Sequence, residues 1–188
     1  MTEVADRSRC GRPTAFFVYG TVRPGQPNFR HVTGLVVRTE PAILYGHLLY
    51  GRGMPYPYAG PGAGRVVGDL LWVRPEAIGE ALRILDALEG YREGGRHNLY
   101  ERRSLAVTSQ RGQVQAWMYL AGQAVLADLT PDLVVPSGDW RQACRSGEAS
   151  ALPDYVGGPV GRPAGRALSA GPSGSSRRHR AGGGKRLL

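Results

Sequence analysis

The chain has 188 residues, enough for one domain with a substantial core, and a formal net charge of +9. No apolar run approaches the ~20 residues of a membrane-spanning helix. The opening stretch MTEVADRSRCGRP lacks the apolar core of an export signal, and Cys10 and Cys144 are too few for a disulfide framework, so a reducing cytoplasm is the expected location.

The charge is unevenly placed. Residues 145–188 hold eight Lys/Arg against two Asp/Glu, so most of the basic character belongs to that segment. It is rich in Gly, Ser, Pro and Ala and cannot bury enough apolar surface to offset its ordering entropy, so it is expected to be a disordered tail. A basic tail can bind nucleic acid by charge alone, but more often it is a solvated appendage; neither nucleic acid nor membrane is expected as a partner. Residues 1–14 are expected to be a flexible N-terminus, with the domain at 15–144.

In chain order, Ala15–Tyr19 reads as a short apolar strand running into the tight loop Gly20-Thr-Val-Arg-Pro-Gly25. Asn28–Val37 carries weak signals for a short helix. Ala42–Tyr50 alternates as a strand. Gly51–Gly64 holds five Gly and three Pro and reads as a long irregular loop. Val66–Val73 is a further strand. Pro75–Glu89 reads as a helix, with Pro75 suited to its first turn and Gly90 to its stop. Tyr91–Asn98 is a polar loop. Leu99–Thr108 and Val114–Leu120 form a hairpin through Ser109-Gln-Arg-Gly112. Ala124–Leu129 is ambiguous, and Pro131–Trp140 closes the regular domain. Several directly joined strands with one central helix predict an α+β fold, a small, mostly antiparallel β-barrel with flanking helices.

The residue that stands out is Glu89. The apolar members of its helix, Ile78, Ala81, Leu82, Ile84, Leu85 and Leu88, cover one arc at about 100° per residue. Glu89 falls inside that arc, four residues after Leu85 and eleven after Ile78. A carboxylate on a buried face is costly unless paired or protonated, and such a group is a candidate acid or base near neutral pH. The alternative is a helix-terminal residue that frays outward or pairs with an arginine. Other chemistries lack support. The four histidines are scattered and no metal site is expected; no serine has nucleophile-elbow context; no Walker or dinucleotide motif is present.

Four pieces occur in order: Phe17-Val-Tyr-Gly-Thr-Val-Arg-Pro-Gly25, Leu85-Asp-Ala-Leu-Glu-Gly-Tyr91, Leu99-Tyr-Glu-Arg-Arg103 and Pro136-Ser-Gly-Asp-Trp-Arg141. Together they resemble the gamma-glutamylcyclotransferase-like superfamily over about residues 15–141, with Val22 standing where the family commonly has Leu. The resemblance implies a small β-barrel, no cofactor, and a small-molecule γ-glutamyl substrate that is closed to 5-oxoproline with release of an amine or amino acid. It implies Glu89 as the general acid/base. It implies a substrate-binding loop of Tyr19, Gly20, Thr21, Val22 and Arg23, whose N–H groups could serve either the oxyanion or the substrate carboxylate. Tyr119 is placed with Tyr19 as a cavity-lining residue, against ordinary barrel packing. Arg102 is expected to pair with a carboxylate such as Asp86, in a structural role. A non-catalytic small-molecule-binding module on the same fold is the alternative.

Overall fold

A computed structural model describes residues 13–51 and 56–149. The expectations of a flexible N-terminus and a disordered basic tail fall largely on residues 1–12 and 150–188, outside the described residues. Five strands form a closed barrel: β1 (Ala15–Val18), β2 (Val36–Gly51), β3 (Pro57–Val73), β4 (Tyr100–Ser109) and β5 (Gly112–Ala121). Their order around it is β1-β3-β2-β4-β5. Neighbours pair antiparallel, except where β1 meets β5 in parallel at Phe16 and Trp117 and closes the ring. The helices are α1 (Ile78–Glu89), α2 (Gln123–Leu126) and α3 (Trp140–Ser146). No helix among the described residues is long and apolar enough to cross a membrane.

The strands divide their side chains by period two. Ala15, Phe17 and Tyr19 join one buried cluster with Leu44, Leu49, Val66, Leu70 and Met118. Phe16 and Val18 join another, which holds Leu71, Tyr100 and Tyr119 and receives Ala81 and Leu85 from α1. Burying one such leucine contributes about 1.5–3 kcal/mol.

Three local readings change. Asn28–Val37 is not a helix but two 3-10 turns, Pro27–His31 and Thr33–Leu35, followed by the start of β2; Pro27 initiates the first turn and β-branched Val36 and Val37 favour strand. The glycine-rich stretch is not an irregular loop from Pro57 onward but the first half of β3, paired with β2. Its glycines make room rather than turns. A Cβ on Gly62 would stand 2.6 Å from Leu48 Cδ1, and one on Gly64 2.4 Å from Leu48 Cδ2. Pro61 lies beside the register shift between Tyr45 and His47, where a missing N–H is tolerated. Finally, regular structure continues past Trp140. Asp139 caps α3 by accepting from the N–H of Arg141 (2.9 Å) and Gln142 (3.4 Å), and Ala149 is still buried in the barrel cluster.

Candidate active site

Glu89 is the last residue of α1. Gly90 takes the left-handed conformation there (φ 67°), and the Tyr91 N–H closes on the Asp86 carbonyl at 2.8 Å, which ends the helix. The helix lays Ile78, Ala81 and Leu85 against the barrel, and the same face carries Glu89 into a cavity. Phe17, Tyr19, Leu85, Leu88, Tyr100 and Tyr119 contribute to its walls. Gly20, Thr21 and Val22 line it from the loop after β1, so Glu89 and that loop share one hollow.

The electrostatics of the hollow are unusual. Glu89 is half-buried, and among the described residues it forms no ion pair or hydrogen bond. Burial pushes its carboxyl up to about 7 from an ordinary value of 4.5. Its place at a helix C-terminus, the negative end of the helix dipole, also disfavours the charged form. Burial first, and then the nearby Glu89 charge, raise the Tyr19 and Tyr100 hydroxyls far above the usual phenol range, so both stay protonated.

The backbone of the loop is only partly committed. The Arg23 N–H donates to the Gly20 carbonyl (3.2 Å), and the Asn28 N–H to that of Thr21 (3.0 Å). The Asn28 side chain donates to Thr21 Oγ1 at 2.9 Å. Among the described residues, no acceptor takes the N–H of Thr21 or Val22. Two unspent donors in adjoining residues at a cavity wall suit an oxyanion or a carboxylate.

Of the anticipated site residues, Glu89, Tyr19, Gly20, Thr21, Val22 and Tyr119 all line this cavity. The Arg23 side chain does not. It is only 4% exposed, with Nε on Asp69 Oδ2 at 2.6 Å and Nη1 on Asp139 Oδ1 at 2.7 Å. Arg141 also reaches Asp69 (3.5 Å) and donates to the Pro24 carbonyl. The Ser-Gly-Asp-Trp segment therefore ties the loop to the barrel through Asp139, while Trp140 fills the core. Val22 likewise turns its side chain into the packing beneath α1.

Tyr19 cross-links the barrel. Its hydroxyl donates to the Tyr119 carbonyl at 2.6 Å and accepts from the Ala59 N–H at 3.2 Å. The expected pair is present: Arg102 Nη1 meets Asp86 Oδ2 at 2.5 Å, and the Tyr119 hydroxyl donates to Asp86 Oδ1 at 2.7 Å. Sequence reading missed Asn28, Tyr56, Pro57 and Tyr100 as lining residues. Tyr100 stacks on Tyr58 (centroids 4.7 Å) and donates to the Pro57 carbonyl at 3.0 Å. Its inward register one residue before β4's Glu101 was the available signal. Among the described residues no group of His, Cys, Asp and Glu is arranged to hold a metal.

The comparisons agree with this fold. The family profile described as "Gamma-glutamyl cyclotransferase, AIG2-like" matches residues 16–142. A protein of Halalkalibacterium halodurans named "Putative gamma-glutamylcyclotransferase BH1612" is 35% identical over 104 residues, 52% of this chain and 79% of that protein. Among solved structures, the AIG2-like protein of Mus musculus superposes with a TM-score of 0.50 at 25% identity, covering 62% of this chain and 81% of the mouse chain. YkqA from Bacillus subtilis shares the fold (TM-score 0.50, 19% identity), with 72% of this chain spanning only 42% of that longer one.

Proposed function

The chain belongs to the gamma-glutamyl cyclotransferase, AIG2-like family, and from that premise we propose that it closes a γ-glutamyl substrate to 5-oxoproline with release of an amine or amino acid, using Glu89 as acid and base. The observation that carries this proposal is a carboxyl unpaired among the described residues and pushed up to about 7 by burial, in the same cavity as a loop with two N–H donors that no described acceptor takes.

The chemistry asks for little beyond these groups. The nucleophile is the substrate's own α-nitrogen, so tethering supplies much of the acceleration. Glu89 takes a proton from the α-ammonium. The freed amine attacks the γ-carbonyl carbon, a C–N bond forms, and the carbonyl oxygen becomes an oxyanion against the Thr21 and Val22 N–H groups. One well-placed donor there lowers the barrier by about 3–4 kcal/mol. Glu89 then returns its proton to the leaving nitrogen as the original amide C–N bond breaks. The nitrogen of the new ring sheds its second proton, which ends on the released amine. A carboxyl with a pKa near 7 can make both transfers at neutral pH; one with a pKa near 4.5 would hold too few protons for the second. The proposed setting is a reducing cytoplasm, in keeping with a sequence whose two cysteines are too few for a disulfide framework.

The test is incubation with a panel of γ-glutamyl amines and amino acids, with 5-oxoproline followed by mass spectrometry. Release by the wild type and none by Glu89→Gln is expected. Tight binding of the panel without any release would identify a non-catalytic binding module instead.

A further inference from the structure

Four tyrosines line the cavity, and three of them, Tyr19, Tyr100 and Tyr119, give their hydroxyl protons to the protein. Tyr19 donates to the Tyr119 carbonyl, Tyr100 to the Pro57 carbonyl and Tyr119 to Asp86. A phenol has one proton and two lone pairs, so each leaves only acceptor capacity. Tyr19 spends part of that capacity on the Ala59 N–H. Among the described residues, nothing donates to the Tyr119 oxygen.

The hydroxyl of Tyr119 is oriented by a partner that is itself held in place. Asp86 receives it at 2.7 Å on one oxygen and Arg102 at 2.5 Å on the other. The Arg102 guanidinium lies over the rings of Tyr91 (4.9 Å) and Trp117 (5.5 Å), which fixes the ion pair from behind. Burial, and then Asp86, keep the phenol protonated well beyond any working pH. Donating to a carboxylate polarises the hydroxyl and makes its oxygen a better acceptor. The cavity is thus divided among the described residues, with acceptors (Glu89 and the Tyr119 oxygen) contributed by α1 and β5 and unspent N–H donors by the loop after β1.

We infer that the Tyr119 oxygen receives the α-ammonium group of the substrate beside Glu89, with Asp86 and Arg102 as positioning residues that keep its proton turned away from the cavity. The inference rests on the cyclotransferase reading and adds to it a recognition element for the amine. It makes the site selective for a ligand carrying a free α-amine over one of the same shape without it.

Binding is measured by calorimetry at pH 7 in the Glu89→Gln background, where turnover does not intrude and Glu89 no longer attracts the ammonium. The probes are N-butyl-γ-glutamylamide and N-butylglutaramate, its counterpart lacking the α-amine. Adding Tyr119→Phe should weaken the γ-glutamyl probe about tenfold or more, as expected for a hydrogen bond to a charged group, and leave the counterpart within about twofold. Adding Asp86→Asn should do the same, because the Asn amide can donate to the Tyr119 oxygen and turn the phenol proton into the cavity. Equal loss of both probes in both variants, no loss of either, or no binding of either probe to the parent overturns the inference. Selective binding without 5-oxoproline release by the wild type would sink the turnover reading and leave the ammonium site standing. Release with unselective binding would do the reverse.

Discussion

Replacing Glu89 by Gln should stabilise the protein at alkaline pH while abolishing its proposed turnover. The carboxyl is pushed from 4.5 up to about 7 by burial. A group whose pKa is raised on folding contributes stability that is fully present below the unfolded value, here 4.5, and is lost as pH rises through the folded value, here about 7. At about 1.4 kcal/mol per unit the loss has a ceiling of roughly 3.5 kcal/mol. Solvent reaching the half-buried side chain trims this to about 1–3 kcal/mol. Glutamine has no such titration. Urea unfolding of both proteins at pH 5 and pH 8 isolates the effect, since every other titrating group is shared. The stability difference, variant minus wild type, should rise by about 1–3 kcal/mol between the two pH values. Parallel pH dependence of the two proteins would refute the claim that Glu89 is desolvated.

Arg23→Ala should cost up to about 3–5 kcal/mol in urea unfolding, because it leaves Asp69 with only Arg141 and Asp139 with only its helix-cap contacts in a largely buried space. Tyr19→Phe removes one donor and one acceptor and orphans the Tyr119 carbonyl and Ala59 N–H, so thermal unfolding should show a loss of about 1–3 kcal/mol. Its effect on turnover should be smaller than that of Glu89→Gln, since the hydroxyl is committed to the barrel.

The legible parts of this chain were those where local pattern and tertiary demand agree. Glu89 announced itself because a 3.6-residue period placed a charge among leucines, and Gly90 because a helix stop needs positive φ. The Arg102–Asp86 pair was also readable, from the family resemblance of the Tyr100-to-Arg102 strand and a carboxylate at the edge of the helix face. Residues 57–64 were not, because Gly and Pro signal turns locally, whereas here they clear space for Leu48 across a strand pair. The destination of the Arg23 side chain was hidden for a similar reason. Its partners lie 46 and 116 residues away in sequence, and nothing within the loop shows that Asp69 and Asp139 will converge on it. The acceptor character of Tyr119 depends on which way one proton points, and that follows only once β5 and α1 are packed together.

The central claim is that one desolvated carboxyl moves the proton, and the pH dependence of kcat/KM for 5-oxoproline release tests it most directly. Base catalysis by Glu89 predicts a rate that climbs with pH and levels off through an inflection near 7. An inflection near 4.5, with the rate already level by pH 6, would contradict it.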